Sequence, residues 1–344
     1  MAPPRRPSVK DVAELADVSI GTVSNVLNRP DLVAPATRAR VEAAMERLRY
    51  HRNASARQLR AGVSSTVGAV VSNVSNPFYT ELIRGIEDRL ADVGHSLIIC
   101  SSDNDPEREA RALRLLGEQG VRGVLITPTD ATDSRLAVLS ELGIPVVVLD
   151  AHLDGYPSVT LDHFRGGRLA VEHLLEQGHR RIAIIARKIL QPSQERCAGA
   201  TEAIAAAGLD PAEVLTIIHI DEASANSGQQ AIAPVLDGPK PPTAVFALND
   251  IVSLGVLREL RRRGLRVPED VAVVGYDDLF LAAELMVPLT SVRQPMREMG
   301  WAGADLLLAG SPRQAFTPEL IVRASSDFDR TNSVDRTNSG AQGR

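Results

Sequence analysis

Ser8-Val-Lys-Asp-Val-Ala-Glu-Leu-Ala-Asp-Val-Ser-Ile-Gly-Thr-Val-Ser-Asn-Val-Leu-Asn28 reads as two short amphipathic helices joined by a tight turn. Ser8 with Asp11 three residues on is a capping-box start, and Val12, Ala13, Leu15 and Ala16 supply an apolar stripe. Asp17 falls at the corner, where the chain must enter the left-handed region, which Asp tolerates less well than Gly. Ser19 can cap a second helix whose inward face is Val23, Val26 and Leu27. The other face carries Ile20, Gly21, Thr22, Ser24, Asn25 and Asn28, short groups without charge. A solvated helix is richer in Glu and Lys, so this face suits close approach to another polar surface, as a helix entering a DNA major groove requires. An ordinary helical hairpin with a small-residue face is the alternative.

The residues around this stretch favour the DNA reading. After a loop marked by Pro30 and Pro35, Ala36 to Leu48 repeats Val41, Ala44, Met45 and Leu48 at helical spacing, which predicts a third helix closing a small core. Ala54-Ser-Ala-Arg-Gln-Leu-Arg-Ala61 is a basic, Ala-rich segment with one exposed-looking leucine, Leu59, before a flexible join at Gly62–Ser65. Residues 1–64 hold 11 Lys/Arg against 6 Asp/Glu, leaving 27 basic and 37 acidic residues for the remainder. A basic head on an acidic body fits a nucleic-acid-binding module whose body the duplex would repel.

From Thr66 the pattern changes to strands alternating with helices. The expected series is strand 67–72, helix 79–93, strand 96–101, helix 106–119, strand 123–126, helix 133–142 and strand 146–149. A second series of helix 166–177, strand 181–185, helix 196–207, strand 216–220, helix 228–236, strand 244–247, helix 251–263 and strand 271–274 follows. Such alternation predicts two doubly wound parallel-sheet units, with a ligand cleft facing the carboxyl ends of the strands. The polar tail from Asp327, with Asp-Arg-Thr-Asn-Ser at 329–333 and again at 335–339, has nothing to bury and is expected to be disordered.

Several classes of chemistry lack their signatures. Neither a dinucleotide glycine fingerprint nor a P-loop, nucleophile elbow or zinc-protease helix occurs. The seven histidines are scattered; His163, His173 and His179 read as helix-surface or helix-end residues rather than ligands. The pair Asp277–Asp278 admits acid–base work, but equally a loop turn or an acceptor for ligand hydroxyls. No enzymatic activity, cofactor or metal is therefore expected. Two cysteines, Cys100 and Cys197, make no disulfide framework, no apolar run is long enough to span a bilayer, and the first residues lack a signal-peptide core. The expectation is a soluble, cytoplasmic protein without a membrane partner.

At this point the residues support a family resemblance. Val18-Ser-Ile-Gly-Thr-Val-Ser-Asn-Val-Leu-Asn28 resembles the start of lactose/galactose-repressor-type (LacI/GalR) transcriptional regulators. Ser75-Asn-Pro-Phe-Tyr79, Gly178-His-Arg-Arg-Ile182, Pro242-Thr-Ala-Val-Phe-Ala-Leu-Asn-Asp250, Val267-Pro-Glu-Asp-Val271, Val274-Gly-Tyr-Asp-Asp278 and Leu289-Thr-Ser-Val292 follow in the family's order. The resemblance spans about residues 8 to 326. It implies an all-α helix-turn-helix headpiece (1–52), a hinge helix and linker (53–65), and a two-lobed α/β core like a periplasmic binding protein (66–326), ahead of the tail (327–344). It further implies three chain crossings between lobes, with the last strands rejoining the first lobe.

The same resemblance assigns residues. Ile20, Gly21 and Asn25 occupy base-facing positions, with Asn able to hydrogen-bond a base edge. Ser19, Thr22, Ser24, Asn28, Thr37 and Asn53 match phosphate-contacting positions. Leu59 matches a leucine that wedges into the minor groove, flanked in the hinge helix by Ala56 and Arg60. In the core, Phe78, Tyr79, Asp150, Arg196, Asn249 and Asp277 match effector-binding positions, a donor–acceptor set suited to a polyol. The implied function is a repressor acting as a homodimer on a near-palindromic operator in double-stranded DNA, controlled by a small-molecule effector of carbohydrate type.

Four departures stand out. Ala186-Arg-Lys-Ile replaces the family's usual Gly-Pro; Arg187 and Lys188 read first as surface charges, with a cleft for an anionic effector as the alternative. The aromatic expected near Asp221-Glu-Ala-Ser224 is missing, removing a stacking partner for a sugar. Asp17 stands in place of a usual Gly and Ala34 in place of a usual Ser cap, each expected to cost about 0.5–1 kcal/mol of headpiece stability. A solute-binding protein would share the core but not residues 8–61, and an α/β enzyme would need a motif that is missing.

Overall fold

The computed structural model describes residues 7–50, 64–130, 133–188, 190–310 and 313–327. The chain separates into two compact units that meet between Val63 and Ser64.

In the first unit, α1 (Val9–Ala16), α2 (Ile20–Asn28) and α3 (Pro35–Arg47) enclose a core of Val12, Ala13, Ala16, Val23, Val26, Val41 and Ala44. The capping box forms as expected: Ser8 Oγ accepts from the Asp11 backbone N–H, and the Ser8 backbone N–H donates to Asp11 Oδ2 at 2.6 Å. Asp17 ends α1 in the left-handed conformation at φ 51°, ψ 56°. Ser19 Oγ caps α2 by accepting from the Thr22 N–H at 3.1 Å. Ala34, at the N-cap of α3, offers no side-chain cap, while Pro35 at the first helical position removes one orphan donor. Leu15 departs from expectation. It is 41% exposed, because small Ala13 and Ala16 bring α1 close to its neighbours and leave position 15 outside the seam.

The second unit is two α/β lobes. The first has a six-stranded sheet in the order β11-β5-β4-β3-β1-β2, from β1 (Thr66–Val71), β2 (Ser96–Ser101), β3 (Val124–Ile126), β4 (Val146–Leu149), β5 (Ser158–Leu161) and β11 (Gln314–Phe316), all parallel. Helices α4 (Pro77–Ala91), α5 (Pro106–Glu118) and the short α6 (Ala137–Glu141) belong to this lobe. The second lobe orders its strands β12-β10-β9-β8-β6-β7, from β6 (Ile182–Ala186), β7 (Leu215–His219), β8 (Ala244–Ala247), β9 (Ala272–Asp277), β10 (Thr290–Arg293) and β12 (Glu319–Ile321). Its helices are α7 (His163–Glu176), α8 (Gln191–Ala206), α9 (Pro211–Val214), α10 (Ala225–Leu236), α11 (Asp250–Arg263) and α12 (Leu281–Glu284). Central strands such as Val146–Leu149 and Ala244–Ala247 are buried throughout, as parallel strands covered on both faces must be.

The chain passes between lobes three times: after β5, after β10, and after β11. Helix α13 (Met296–Ala309) returns to the first lobe against α4, and β11 joins its sheet. β12 then goes back to pair antiparallel with β10, so only part of the C-terminal region rejoins the first lobe. The segment expected as one helix over 133–142 is a 3-10 turn at Asp133–Arg135 followed by α6.

Close helix packing fixes the second lobe. A methyl group on Gly167 of α7 would collide with the Arg196 carbonyl oxygen, and one on Gly199 of α8 with that of Phe164. Reciprocal glycines therefore let the two backbones touch, and this contact sets where Arg196 and His163 stand.

Candidate functional site

The exposed face of α2 is built by the same periodicity that buries Val23 and Val26. Ile20 is 48% exposed, Gly21, Asn25 and Asn28 are exposed, and Thr22 and Ser24 are half-buried. Ser19 Oγ and Thr22 Oγ1 share a hydrogen bond of 2.9 Å, and Asn28 Nδ2 donates to the Ser24 carbonyl at 2.8 Å. These bonds hold the polar side chains along the helix, so the face is low and preformed. Thr37 lies half-buried in the first turn of α3. Six Lys/Arg and six Asp/Glu occupy residues 7–50, so the basic excess of residues 1–64 comes from Arg5, Arg6, Arg52, Arg57 and Arg60. Those arginines, with the proposed contacts Asn53, Ala56 and Leu59, lie outside the described residues.

The second candidate is the cleft between the lobes. Phe78, Tyr79, Asp150, Arg196, Asn249 and Asp277 all line it, together with Asn73, Asn76, Asn104, Arg187, Glu222 and Gln294, around about 610 Å3 of empty volume that includes its open mouth. Strand ends and helix starts supply these groups. Asp150 follows β4 at φ 57°, and Asp277 ends β9 at φ 102°. Positive φ in two non-glycine residues is local strain, and both stand at the carboxyl ends of strands where α/β sheets bind ligands. Phe78 and Tyr79 open α4 as an edge-to-face pair with ring centroids 4.9 Å apart. Asn249 caps α11 by accepting from the Val252 N–H at 2.9 Å, which leaves its Nδ2 to donate to a ligand.

Hydrogen bonds link the lobes at the back of the cleft. Arg196 Nη1 donates to the Leu248 carbonyl, its guanidinium lies 3.5 Å over the Tyr276 ring, and its Nε donates to His163 Nδ1 at 3.3 Å. Because Arg only donates, Nδ1 is the accepting nitrogen and the imidazole proton sits on Nε2, which donates to Asp150 Oδ1 at 2.9 Å. The second-lobe guanidinium is thus joined through His163 to the first-lobe carboxylate. Burial pushes the Tyr79 phenol up to about 12 and the Asp277 carboxyl well above the usual carboxylate range. Gln294 Nε2 donates to Asp277 Oδ1 at 2.6 Å.

Two readings of the sequence need correction. His163 opens α7 and His179 follows its end, as expected, but with His173 they are not surface residues: the three are 2%, 7% and 7% exposed and hydrogen-bond to Asp150, Ser326 and Thr243 respectively. Each lies at a junction between segments distant in sequence, which local periodicity does not register. Arg187 is likewise buried in the cleft wall, whereas Lys188 is exposed. Sequence reasoning also missed Gln294 and Asn104, which only the chain crossings and the β2–α5 loop bring to the cleft. The Asn-rich run around Asn73 and Asn76, directly after a buried strand, was the available signal for those two.

Comparison with known proteins bears on both parts. Residues 8–53 match the model of bacterial regulatory proteins of the lacI family, and residues 171–326 that of the periplasmic binding protein-like domain. The chain is 36% identical over 330 residues to the ribose operon repressor of Escherichia coli (strain K12), covering 93% of this chain and 99% of that one. It is 34% identical over 329 residues to the HTH-type transcriptional repressor PurR of Aliivibrio salmonicida (strain LFI1238), covering 92% and 98%. Among solved structures, it resembles the Lac repressor dimer bound to operator and the anti-inducer ONPF, with TM-score 0.80, 32% identity, and 94% and 99% of the two chains covered. A transcriptional regulator from Enterococcus faecium with bound ribose gives TM-score 0.70 at 32% identity, covering 76% and 98%. Among the described residues no helix is long and apolar enough to cross a membrane.

Proposed function

Since the chain belongs to the lacI family of bacterial regulatory proteins, we propose that it is a transcriptional repressor whose operator affinity is set by a small polar effector in the interlobe cleft. The observation that carries this reading is the presence in one chain of an uncharged, exposed helix face and a cleft lined by carboxylates, amides and guanidinium groups between two lobes.

Residues 1–52 form the reading head, 53–65 the hinge and 66–326 the effector-binding core of this proposal. Asn25 hydrogen-bonds a base edge, Ile20 and Gly21 give apolar contact and room, and Leu59 wedges into the minor groove. Ser19, Thr22, Ser24, Asn28, Thr37 and Asn53 set register on phosphates. Arginines flanking the recognition helix supply the sequence-independent attraction. The effector is a polyol: Asp150 and Asp277 face its hydroxyls, Asn249 and Arg196 donate to them, and Phe78 and Tyr79 cover an apolar face. The ribose-bound and operator-bound neighbours support both ends of this assignment.

A second copy of the chain is proposed to cover the apolar groove of the second lobe, formed by Leu254, Leu257, Leu265, Leu285 and Met286. Met286 is 89% and nearby Phe280 77% exposed; an apolar patch of this kind marks an interaction site, and the similar Lac repressor is a dimer. Two heads then read a near-palindromic site, in a cytoplasmic setting. Effector binding closes the cleft, moves one lobe against the other across the dimer, and changes the spacing at which the hinge segments pair on DNA.

Gel mobility shift on near-palindromic duplexes enriched from a random library tests the reading. The protein is expected to select one site and to lose affinity steeply as salt rises. Leu59→Ala is expected to weaken binding to that site far more than to random duplex. Absence of any salt-sensitive, sequence-selective complex would overturn the proposal.

A further inference from the structure

One buried cation of the cleft wall has no ion-pair partner among the described residues. Arg187 follows β6, is 7% exposed and lines the cleft wall. Its Nη1 donates to Asn104 Oδ1 at 2.8 Å, a neutral acceptor from the other lobe, and its backbone N–H donates to Ser193 Oγ at 2.8 Å. Its Nε has no hydrogen-bond partner, and neither of its hydrogen bonds among the described residues goes to a carboxylate. The guanidinium nevertheless stays protonated, because Arg does not lose its proton in proteins. A buried cation facing only a neutral amide is unfavourable until an anion arrives. Burial accordingly draws its pKa below the ordinary arginine value, with Tyr79, Asp221 and Glu222 offsetting this in part.

An unmatched acceptor lies in the same cleft. Gln294 is 2% exposed; its Nε2 is committed to Asp277, while its Oε1 has no partner. An orphan donor on a cation and an orphan acceptor on an amide define a ligand with an anionic oxygen at one position and a hydroxyl at another. Residues 221–224 (Asp-Glu-Ala-Ser) bring no ring to stack on a neutral sugar, so the charged contact takes over that part of the recognition.

We propose that the effector is an acidic sugar, a polyol bearing one carboxylate, which pairs with Arg187 while a hydroxyl donates to Gln294 Oε1. The inference rests on the reading of the cleft as an effector site. A carboxylate fits better than a phosphate because Asp150 and Glu222 line the same cleft as the two guanidinium groups, which disfavours a dianion.

The test is a melting-temperature panel on the full chain with matched probes. These are D-ribose, D-ribonate and D-ribose 5-phosphate, and D-glucose and D-galactose with their aldonates, uronates and 6-phosphates. At least one aldonate or uronate is expected to raise the melting temperature at concentrations where its neutral parent does not. Arg187→Met is expected to lose affinity for that acid by about thirtyfold or more, while Arg187→Lys keeps the preference for acid over neutral sugar. Without ligand, Arg187→Met should melt at or above the wild-type temperature, since it removes an unpaired charge. A neutral parent or a phosphate bound more tightly than the acid would overturn the inference and leave the cleft reading intact. So would undiminished acid binding by Arg187→Met, or a ligand-free variant that melts several degrees lower, which would make Arg187 a structural tie to Asn104. No shift with any probe would overturn the cleft reading as well.

Discussion

His173 is buried beneath the second lobe with Nε2 2.7 Å from Ser326 Oγ, and burial lowers its pKa below the ordinary histidine value of 6.5. Between the depressed folded value and the ordinary unfolded one, the unfolded chain binds more protons than the folded chain. Stability contributed by the neutral ring is therefore complete above about pH 6.5 and is lost as pH falls below it. Urea midpoints measured at about pH 7.5 and about pH 5.5 should shift on acidification in a more destabilising direction in the wild type than in His173→Gln. Equal shifts in the two proteins would contradict the role given to His173. Asp250 acts in the opposite sense. It is fully buried, accepts from Ser291 Oγ at 2.6 Å and the Leu279 N–H at 2.7 Å, and burial raises it to about 7, so its ionisation destabilises as pH rises toward neutrality. Comparing the histidine variant with wild type cancels that contribution. At this scale the sequence was most legible where a residue type has one economical use. Asp17 at a helix corner and Ser19 before an apolar repeat were readable on local chemistry alone. His163 was not, because its partners Asp150, Tyr276 and Arg196 lie 13, 113 and 33 residues away.

Helices α7 and α8 pack in backbone contact beneath the cleft. Their reciprocal glycines, Gly167 and Gly199, hold two backbones in contact and so place His163 and Arg196 side by side under the cleft. Gly199→Ala puts a methyl against the Phe164 carbonyl, and the neighbour is backbone that cannot rotate away. The substitution is expected to cost about 1–3 kcal/mol or more of core stability and to weaken effector binding, while operator-free headpiece helices keep their circular dichroism. An unchanged melting temperature in differential scanning calorimetry would contradict the close approach. The central strands and most helices were legible from alternation of apolar runs and amphipathic repeats. Strand Ser158–Leu161 and everything after β9 escaped that reading. β5 is only four residues long, and β10, β11 and β12 are short pieces whose partners are set by chain crossings rather than by local pattern.

For the whole molecule, charge and topology divide the work. The described headpiece residues carry balanced charge, the excess arginines precede residue 7 or follow residue 50 in sequence, and the core is acidic. On the proposed reading, attraction to DNA comes from the flanking sequence and discrimination from an uncharged helix face. The two-unit organisation and the α/β class of the core could be read from residue order. The three crossings could not, since they follow from family resemblance and pairing rather than periodicity. They matter most for function: a cleft spanned by three strands of chain lets a ligand shift one lobe against the other without separating them. The proposed function requires that the cleft and the operator be thermodynamically linked in one dimer. Its most direct test is fluorescence anisotropy of the selected operator titrated with protein, with and without a saturating amount of the ligand found in the melting panel. The dissociation constant is expected to change by about 5- to 150-fold on saturation, with the operator changing ligand affinity by the same factor. An operator affinity that is identical with the cleft empty and full would contradict it.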